Sequence, residues 1–328
     1  MALGAHLHVG ITPLITARRV RSTHTGARVR VVASAVTTTV DPSSAVPSFH
    51  AAPFSHFDMT QLELKGPRSN VDVGDPHDYG RPFVKGALDG NAACGSWACT
   101  PGGWDSPNAR PSTEWFYVLS GNGSVSDPDG TPHPFGPGDV VVLSKGWYGR
   151  WDITEHIHKI WLTHAHDDKE GASKRPVVKP FSELVEGITS PTPGGNRFGA
   201  AAYDVSGFRA GAWVLPAHGV CDVANDGNTC EVNFVVEGEV FVVDGDGAVA
   251  RRCVAGDTVF MPQGWRGSVL GGAVETKVAA VAVSGGTVSS GGSSPVASYN
   301  APVASYGQTV LGAERDEMYD PENERRGR

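Results

Sequence analysis

The residues of this chain that could do chemistry occur in two similar sets. Each set contains a tryptophan, a glutamate and a lysine in that order: Trp97, Glu114 and Lys159 in the first, Trp213, Glu231 and Lys277 in the second. A lysine beside an apolar wall can act as a base or bind a carboxylate. The alternative is a structural ion pair, in which each glutamate and lysine neutralise one another and the tryptophans are core.

The spacing around the two glutamates is the same over a long stretch. The first glycine stands seven positions after each glutamate, at Gly121 and Gly238, and a turn glycine follows nine positions later, at Gly130 and Gly247. The two copies are offset by about 117 residues, which is the length of a whole domain and not of a solenoid unit. The sequence therefore predicts a duplicated domain.

Each copy is built from short apolar runs that end at Gly, Pro or Asp. In the first copy, Trp115 to Leu119 and Val140 to Leu143 flank a turn at Asp127-Pro-Asp-Gly130. Such runs are typical of buried strands, and the turn supplies a fixed φ followed by a residue that tolerates positive φ. The pattern predicts small antiparallel barrels.

The motifs of both copies resemble those of the cupin superfamily. Its first motif ends in Glu, six residues and Gly, as in both copies here. Its second motif is Gly, five residues, Pro, one residue and Gly; 256–264 fits it with Pro262, and 138–146 fits it with Ser144 in the proline place. More narrowly, the tryptophan before the first motif and the ending of the first copy at 151–159 resemble the ureidoglycine aminohydrolase cupin-domain subgroup.

The resemblance covers roughly 57–165 and 181–283 and implies an all-β fold of two tandem double-stranded β-helix (jelly-roll) barrels. The domain boundaries that we predict are an organelle transit peptide at 1–33, a linker at 34–56, the first barrel at 57–168, the second at 169–283 and a disordered Ser/Gly-rich and charged tail at 284–328. The low apolar content of the tail cannot offset the entropy of ordering it.

The resemblance also implies where a metal ion would bind. Many cupins hold one through His-x-His and Glu of the first motif and a later His. The corresponding window at 107–110 has no histidine and the later position is Gly149; in the second copy the window at 225–228 and Gly267 lack it too. One carboxylate does not hold a transition metal alone. We therefore predict no metal cofactor.

A divalent transition metal held by His156, His158 and Glu114 is the alternative. The two histidines are two positions apart and would share one face of a strand. If Lys159 faces the barrel interior, however, they face outward. His164 and His166 repeat the spacing and are predicted to be exposed, because they lead into Asp167 and Asp168.

Although the usual metal ligands are missing, each barrel interior keeps a tryptophan, a glutamate and a lysine, and these residues predict a small-molecule pocket. Apolar walls with a few convergent polar groups at a barrel mouth are typical of such sites. The predicted ligand-binding residues are Trp97, Glu114, Tyr117, Trp151, Lys159, Trp213, Glu231 and Lys277. The first copy is the better candidate, because Val269 stands in the second copy where the first has Trp151.

Composition narrows the partners and the location. The formal net charge is −8, and no cluster of Lys and Arg would bind a nucleic-acid backbone or an anionic membrane. Residues 1–40 contain five Arg but no Lys, Asp or Glu, which is typical of an organelle transit peptide. We expect a chloroplast protein, or else a mitochondrial one, that is a monomer or homodimer.

Three functions remain open. The first is a metal-free binding protein for a small polar or carboxylated metabolite, which we favour because the interior residues recur while the metal ligands do not. The second is a hydrolase or isomerase acting on ureide-like or other small polar substrates. The third is a structural or assembly factor that docks through its tail. Whether the protein is an enzyme is left open, since one fold hosts many activities.

Overall fold

A computed structural model of the protein describes residues 47–166, 174–186, 188, 200–205, 207–247 and 249–285. The predicted transit peptide at 1–33 lies outside these residues, as does the predicted tail apart from its first two positions. Across the described part of the chain, no helix has the length and apolar character required to span a bilayer.

The described residues are built almost entirely of strands. The strands of the first half are β1 (His50–Ala52), β2 (Glu63–Pro67), β3 (Val71–Gly74), β4 (His77–Ala87), β5 (Ala92–Cys99), β6 (Gly102–Ser106), β7 (Thr113–Ser120), β8 (Gly123–Ser126), β9 (Pro132–Phe135), β10 (Asp139–Leu143), β11 (Gly149–Ile153) and β12 (Ile157–His164). Those of the second half are β13 (Val177–Pro180), β14 (Ala200–Val205), β15 (Phe208–Leu215), β16 (Val220–Ala224), β17 (Thr229–Glu237), β18 (Glu239–Asp244), β19 (Ala250–Val254), β20 (Thr258–Met261), β21 (Arg266–Gly271) and β22 (Thr276–Ser284). A short helix, α1 (Phe181–Val185), and 3-10 turns at Phe54–His56 and Met59–Gln61 complete the set.

The strands form two pairs of antiparallel sheets. The first pair has the orders β13-β10-β7-β12-β5-β4-β2 and β3-β6-β11-β8-β9; the second has β1-β20-β17-β22-β15-β14 and β16-β21-β18-β19. Within each pair the order follows the same rule, with the glutamate-bearing strand, β7 or β17, beside the closing strand, β12 or β22. The predicted all-β fold of two tandem jelly-roll barrels is confirmed.

Each barrel receives an edge strand from a segment that is distant in sequence. β1 precedes the first barrel but pairs with β20 of the second, with His50 opposite Phe260. β13 follows the first barrel and pairs with its β10, with Lys179 opposite Val140. The predicted domain boundaries stay a prediction; β1 lies within the predicted linker at 34–56, and β13 lies within the predicted second barrel at 169–283.

Alternation along the strands decides which residues enter the first barrel. On β7, Phe116 and Val118 lie in the cluster that fills the barrel, while Trp115 and Tyr117 lie in the cluster shared with the second barrel. Successive side chains of a strand point to opposite faces, and both faces of β7 are apolar because both are covered. Burial of each such aromatic side chain contributes about 1.5–3 kcal/mol.

A tryptophan anchors the second-motif turn in both barrels. Trp147 Nε1 donates to Asp127 Oδ1 at 3.0 Å, and Trp265 Nε1 donates to Asp244 Oδ1 at 2.7 Å. The predicted turn after Asp127 is present, since Gly130 N donates to the Asp127 carbonyl at 2.8 Å. A buried indole N–H requires an acceptor, so this repeated pair is a structural feature and not part of the candidate site.

Candidate functional site

Glu114 and Lys159 meet inside the first barrel, as their recurrence predicts. They lie on neighbouring strands, β7 and β12, and Lys159 Nζ donates to Glu114 Oε1 at 2.6 Å. Only 1% of the Glu114 side chain and 4% of the Lys159 side chain are exposed. Removing either partner of a pair this deeply buried would destabilise the fold, since the other charge would stay buried without a counter-charge.

Arg110 binds the other oxygen of the same carboxylate. It lies in the loop before β7, and its Nη2 donates to Glu114 Oε2 at 2.8 Å. Two backbone hydrogen bonds hold the loop, from Arg110 N to the Trp147 carbonyl at 2.9 Å and from Gly146 N to the Arg110 carbonyl at 2.7 Å. Arg110 belongs to the window at 107–110 in which metal-binding cupins carry histidines.

Aromatic rings surround the lysine. Lys159 Nζ lies 4.1 Å from the ring centroid of Phe116, 4.6 Å from that of Trp97 and 5.1 Å from that of Trp151. Ring faces attract a cation, and they exclude the water that would otherwise solvate the amine. The sequence predicted Trp97 and Trp151 at this site; Phe116 was missed.

Arg68 closes the aromatic wall and was also missed. It lies between β2 and β3, with its guanidinium carbon 5.3 Å from the Trp97 centroid and 4.9 Å from that of Trp104. Its Nε donates to Asp78 Oδ1 at 2.8 Å. Trp104 in turn stacks on Trp151, with centroids 6.0 Å apart and planes 5° apart. Arginine is the cation best suited to stack on indole rings.

These residues enclose a small cavity. Its volume open to water is about 20 Å³, and its lining consists of Arg68, Trp97, Trp104, Ser106, Arg110, Glu114, Trp151, Lys159 and Trp161. A space of this size holds about one water molecule. The buried Nε of Arg110 has no acceptor among the residues that the structure describes, so the cavity wall presents an unused hydrogen-bond donor.

Both members of the central pair have a lowered pKa, for different physical reasons. Burial alone opposes ionisation of Glu114, but the positive charges of Lys159 and Arg110 outweigh it and lower its pKa. Burial lowers the pKa of Lys159 to about 8, and the attraction of Glu114 offsets this only in part. Arginine does not deprotonate in proteins, so the lysine is the member of this group that can release a proton.

The cavity carries an excess of positive charge. Arg68 is paired with Asp78 at 2.8 Å, which leaves Arg110 and Lys159 facing the one carboxylate of Glu114. Two cations and one anion sum to a single positive charge. A desolvated site of this kind favours a monoanion, because an uncompensated charge in the interior is costly.

The second barrel does not reproduce this arrangement, because Lys277 lies one position before the residue that corresponds to Lys159. Lys159 lies opposite Trp97 and Val118, whereas the residue opposite Trp213 and Val235 is Val278. A shift of one residue turns a side chain to the other face of the sheet. Lys277 accordingly lies at the surface, where it pairs with Glu237 at 2.8 Å.

The other predicted residues of the second barrel, Trp213 and Glu231, lie inside it and away from Lys277. Glu231 is buried on β17 opposite Ala282. Trp213 Nε1 donates to Asn233 Oδ1 at 2.9 Å. Val278 is fully buried in the apolar cluster. The second interior therefore resembles a core more closely than a charged pocket.

Tyr117 was predicted in the pocket, but the structure places it between the barrels. Its ring lies 5.0 Å from that of Phe234 and 5.9 Å from that of Phe181. It neighbours Phe116 on β7, which points into the barrel, so Tyr117 must point out. Burial raises the pKa of Tyr117 to about 12, which keeps its hydroxyl neutral at this apolar contact.

The alternative metal site at His156, His158 and Glu114 is not assembled. His158 Nε2 lies 2.7 Å from Ser96 Oγ on the opposite face of β12 from Lys159, as the alternation predicted. Both oxygens of Glu114 accept from cations, which would repel a metal ion. Within the described ranges, no group of three or more His, Cys, Asp or Glu residues is placed to hold one. The donor set around Glu114 does not fit a metal.

The prediction that His164 and His166 are exposed is wrong, since both are buried. The ring nitrogens of His164 lie 3.0 Å from the Asn91 carbonyl and 3.1 Å from the Ser284 carbonyl, and His166 Nε2 lies 2.8 Å from Thr113 Oγ1. The end of β22 reaches His164 through the Ser284 carbonyl, and the ring of Phe208 packs on His166. The polar residues that follow His166 did not indicate these long-range contacts.

Acid is expected to destabilise the protein through His158. Burial lowers its pKa to about 4, an effect that Asp58 offsets only in part. The unfolded chain therefore binds an extra proton between pH 6.5 and 4, and stability is lost as the pH falls through that window. The free energy of unfolding, measured in urea, should fall from pH 7 to pH 5 in the wild type. In His158→Gln this fall should be smaller by about 2 kcal/mol.

The exposed His50 supplies the control for this measurement. His50→Gln should keep the wild-type dependence on pH. A His158→Gln protein with the same slope as the wild type would show that another group carries the acid sensitivity.

One family model matches a part of the first barrel. The family model of the EutQ-like cupin domain matches residues 86–161, a span that includes Glu114 and Lys159. Residues 86–161 are a cupin domain. The cupin resemblance of the sequence is thereby confirmed at the level of the superfamily. A search of curated proteins found no match to the chain.

Two solved structures share the fold of about three quarters of this chain. The putative glyoxylate induced protein from Pseudomonas aeruginosa superposes with a TM-score of 0.54 at 13% identity, over 74% of this chain and 92% of that one. Protein YlbA from E. coli, of the DUF861 family, gives 0.51 at 11% identity, over 73% and 92%. At these identities the likeness shows the fold alone.

Proposed function

We propose that the first cupin barrel binds a small metabolite bearing one carboxylate, without a metal ion. The observation that carries the proposal is that Arg110 and Lys159 share the single carboxylate of Glu114 at the wall of a tryptophan-lined cavity. The unused Nε donor of Arg110 supplies one hydrogen bond to an entering carboxylate. Arginine donates to carboxylates in a fork geometry.

The size of the cavity restricts the ligand. About 20 Å³ holds about one water molecule and not a whole carboxylic acid. A carboxylate ligand therefore requires Arg68 to move from its place over Trp97 and Trp104. The side chains of Arg68 and Arg110 are each 10% exposed, so water already reaches both; Arg110 binds Glu114, whereas Arg68 is paired with Asp78.

Calorimetric titration with formate, acetate, propionate and benzoate tests this proposal, with methylammonium as the cation control. Acetate or propionate should bind saturably, and Arg110→Met should weaken the binding at least about tenfold, as loss of a charge-assisted hydrogen bond does. Arg252→Met, which removes an exposed arginine of the second barrel, should leave the affinity unchanged. Absence of saturable binding by every carboxylate up to about 10 mM would overturn the proposal.

The narrower identity and the location are proposals as well. The subgroup of the ureidoglycine aminohydrolase cupin domain is supported by the tryptophan before the first motif and by the ending of the first copy at 151–159. A plastid location is supported by the five arginines and the absence of acidic residues in 1–40. N-terminal sequencing of the protein from isolated plastids would test the location; a mature chain that keeps residues 1–33 would contradict it.

A further inference from the structure

Lys159 combines features that are seldom needed for structure alone. Its amine is buried against three aromatic rings, hydrogen-bonded to a carboxylate at 2.6 Å, and part of the wall of the cavity. A second cation, Arg110, lies across the same carboxylate. Desolvation and a neighbouring cation are the two means by which proteins turn a lysine into a nucleophile.

We propose that Lys159 forms an imine with the carbonyl carbon of a small oxo acid whose carboxylate is bound by Arg110. The inference rests on the proposed carboxylate site and deepens it by naming the substrate class. A carboxylate beside the Arg110 Nε would place an adjacent carbonyl carbon within the same cavity as the Lys159 amine, because one cavity is lined by both residues. An acid of two or three carbons exceeds the present volume and requires Arg68 to move from its place over Trp97 and Trp104.

Glu114 can carry the protons of this reaction. The ammonium of Lys159 first passes a proton to Glu114 Oε1, 2.6 Å away. The neutral nitrogen then forms a bond to the carbonyl carbon, and a proton moves from nitrogen to the former carbonyl oxygen. Glu114 returns its proton to that hydroxyl, the carbon–oxygen bond breaks, and water leaves as the nitrogen lone pair forms the C=N bond.

The step is balanced without another reactant. An ammonium and a carbonyl become an iminium and one water molecule, and the net charge of the site is unchanged. With the Lys159 pKa lowered to about 8 by burial, about a tenth of such amines are neutral at pH 7, and this neutral form is the nucleophile. The aromatic rings hold the resulting iminium as they hold the ammonium.

Lys277 provides a comparison within the same chain. It occupies the neighbouring position in the second barrel, lies at the surface and pairs with Glu237. No aromatic ring lies over its amine among the described contacts, and it borders no described cavity. Its ordinary chemistry therefore reports the background reactivity of a paired, solvated lysine.

Trapping the imine by reduction tests the inference on the full-length protein. Glyoxylate or pyruvate is added with cyanoborohydride near pH 7.5, and the reduced adduct is mapped by peptide mass spectrometry. Lys159 should be modified at least about tenfold faster than Lys277, as expected of an activated amine. Propionate, which has the carboxylate but no carbonyl, should suppress labelling of Lys159 and leave Lys277 unaffected.

The outcomes separate this inference from the proposed function. If Lys159 is labelled no faster than Lys277 while propionate binds in the calorimeter, the imine is excluded and carboxylate binding stands. If propionate does not bind either, the proposed function fails as well. Lys159→Arg keeps the charge and should abolish labelling at position 159; should this variant not fold, the peptide map of the wild type still decides.

Discussion

Glu114→Gln is expected to reduce the free energy of unfolding by about 3–5 kcal/mol, the usual cost of removing one partner from a buried ion pair. The carboxylate accepts from Lys159 at 2.6 Å and from Arg110 at 2.8 Å. A glutamine offers one acceptor oxygen and presents an NH₂ group to the other cation. Either Lys159 stays charged without a counter-charge, or it must fold in the neutral form.

Urea unfolding at pH 7 measures this loss, and the second barrel supplies the control. Glu237→Gln removes the exposed partner of Lys277 and should change stability by no more than about 0.5 kcal/mol, as surface pairs do. Adding Lys159→Met to Glu114→Gln should recover part of the loss, because the buried ammonium is then gone as well. A Glu114→Gln protein as stable as the wild type would mean that water reaches the cations.

Gly121→Ala is expected to reduce the free energy of unfolding by about 3–4 kcal/mol, of which about 1 kcal/mol is backbone strain. Gly121 ends β7 with φ +79°, in the left-handed region. A Cβ there would lie 2.6 Å from the carbonyl carbon of His156 and 2.7 Å from the Cα of Ile157. These are backbone atoms of the segment leading into β12, so the clash would push apart the two strands that carry Glu114 and Lys159.

Gly130→Ala separates the two contributions. Gly130 has φ +82°, but a Cβ at that position meets nothing within 4 Å. It should therefore cost only the strain, about 1 kcal/mol. Thermal or urea unfolding of both variants measures the difference. Equal losses of stability in the two variants would show that the backbone at the start of β12 shifts at no cost to make room for a Cβ at position 121.

The sequence predicted the members of the site that recur at a fixed spacing. The matching distances from each glutamate to its glycines implied that the same strand and turn are made twice, which placed Trp97, Glu114 and Lys159 in one barrel. The register that brings Lys159 to Glu114 follows from β12 lying beside β7. Local turn chemistry and strand alternation were enough for this part, since both depend on near neighbours in the chain.

Arg68 and Arg110 were not predicted, because neither has a counterpart in the second copy to mark it. Arg68 reaches the cavity by the pairing of β2 with β4, and Arg110 by the loop before β7, which backbone hydrogen bonds hold against 146–147. The prediction that Lys277 lies in the pocket was wrong, because the stretch from the glutamate to the lysine is one residue longer in the second copy than in the first. The recurring spacing around the two glutamates therefore did not reveal that Lys277 points to the opposite face of its sheet from Lys159 in the first copy.

By itself, the sequence determined that this protein is a duplicated all-β chain and that its first copy buries an acid and an amine among tryptophans. Only the tertiary structure decided that two arginines join them, that Tyr117 faces the other barrel and that Lys277 of the second copy lies at the surface. The physical reason is that periodicity reports which residues share a strand face. The neighbours across that face come from strands and loops far away in the chain, and they alone set the charge and volume of the cavity.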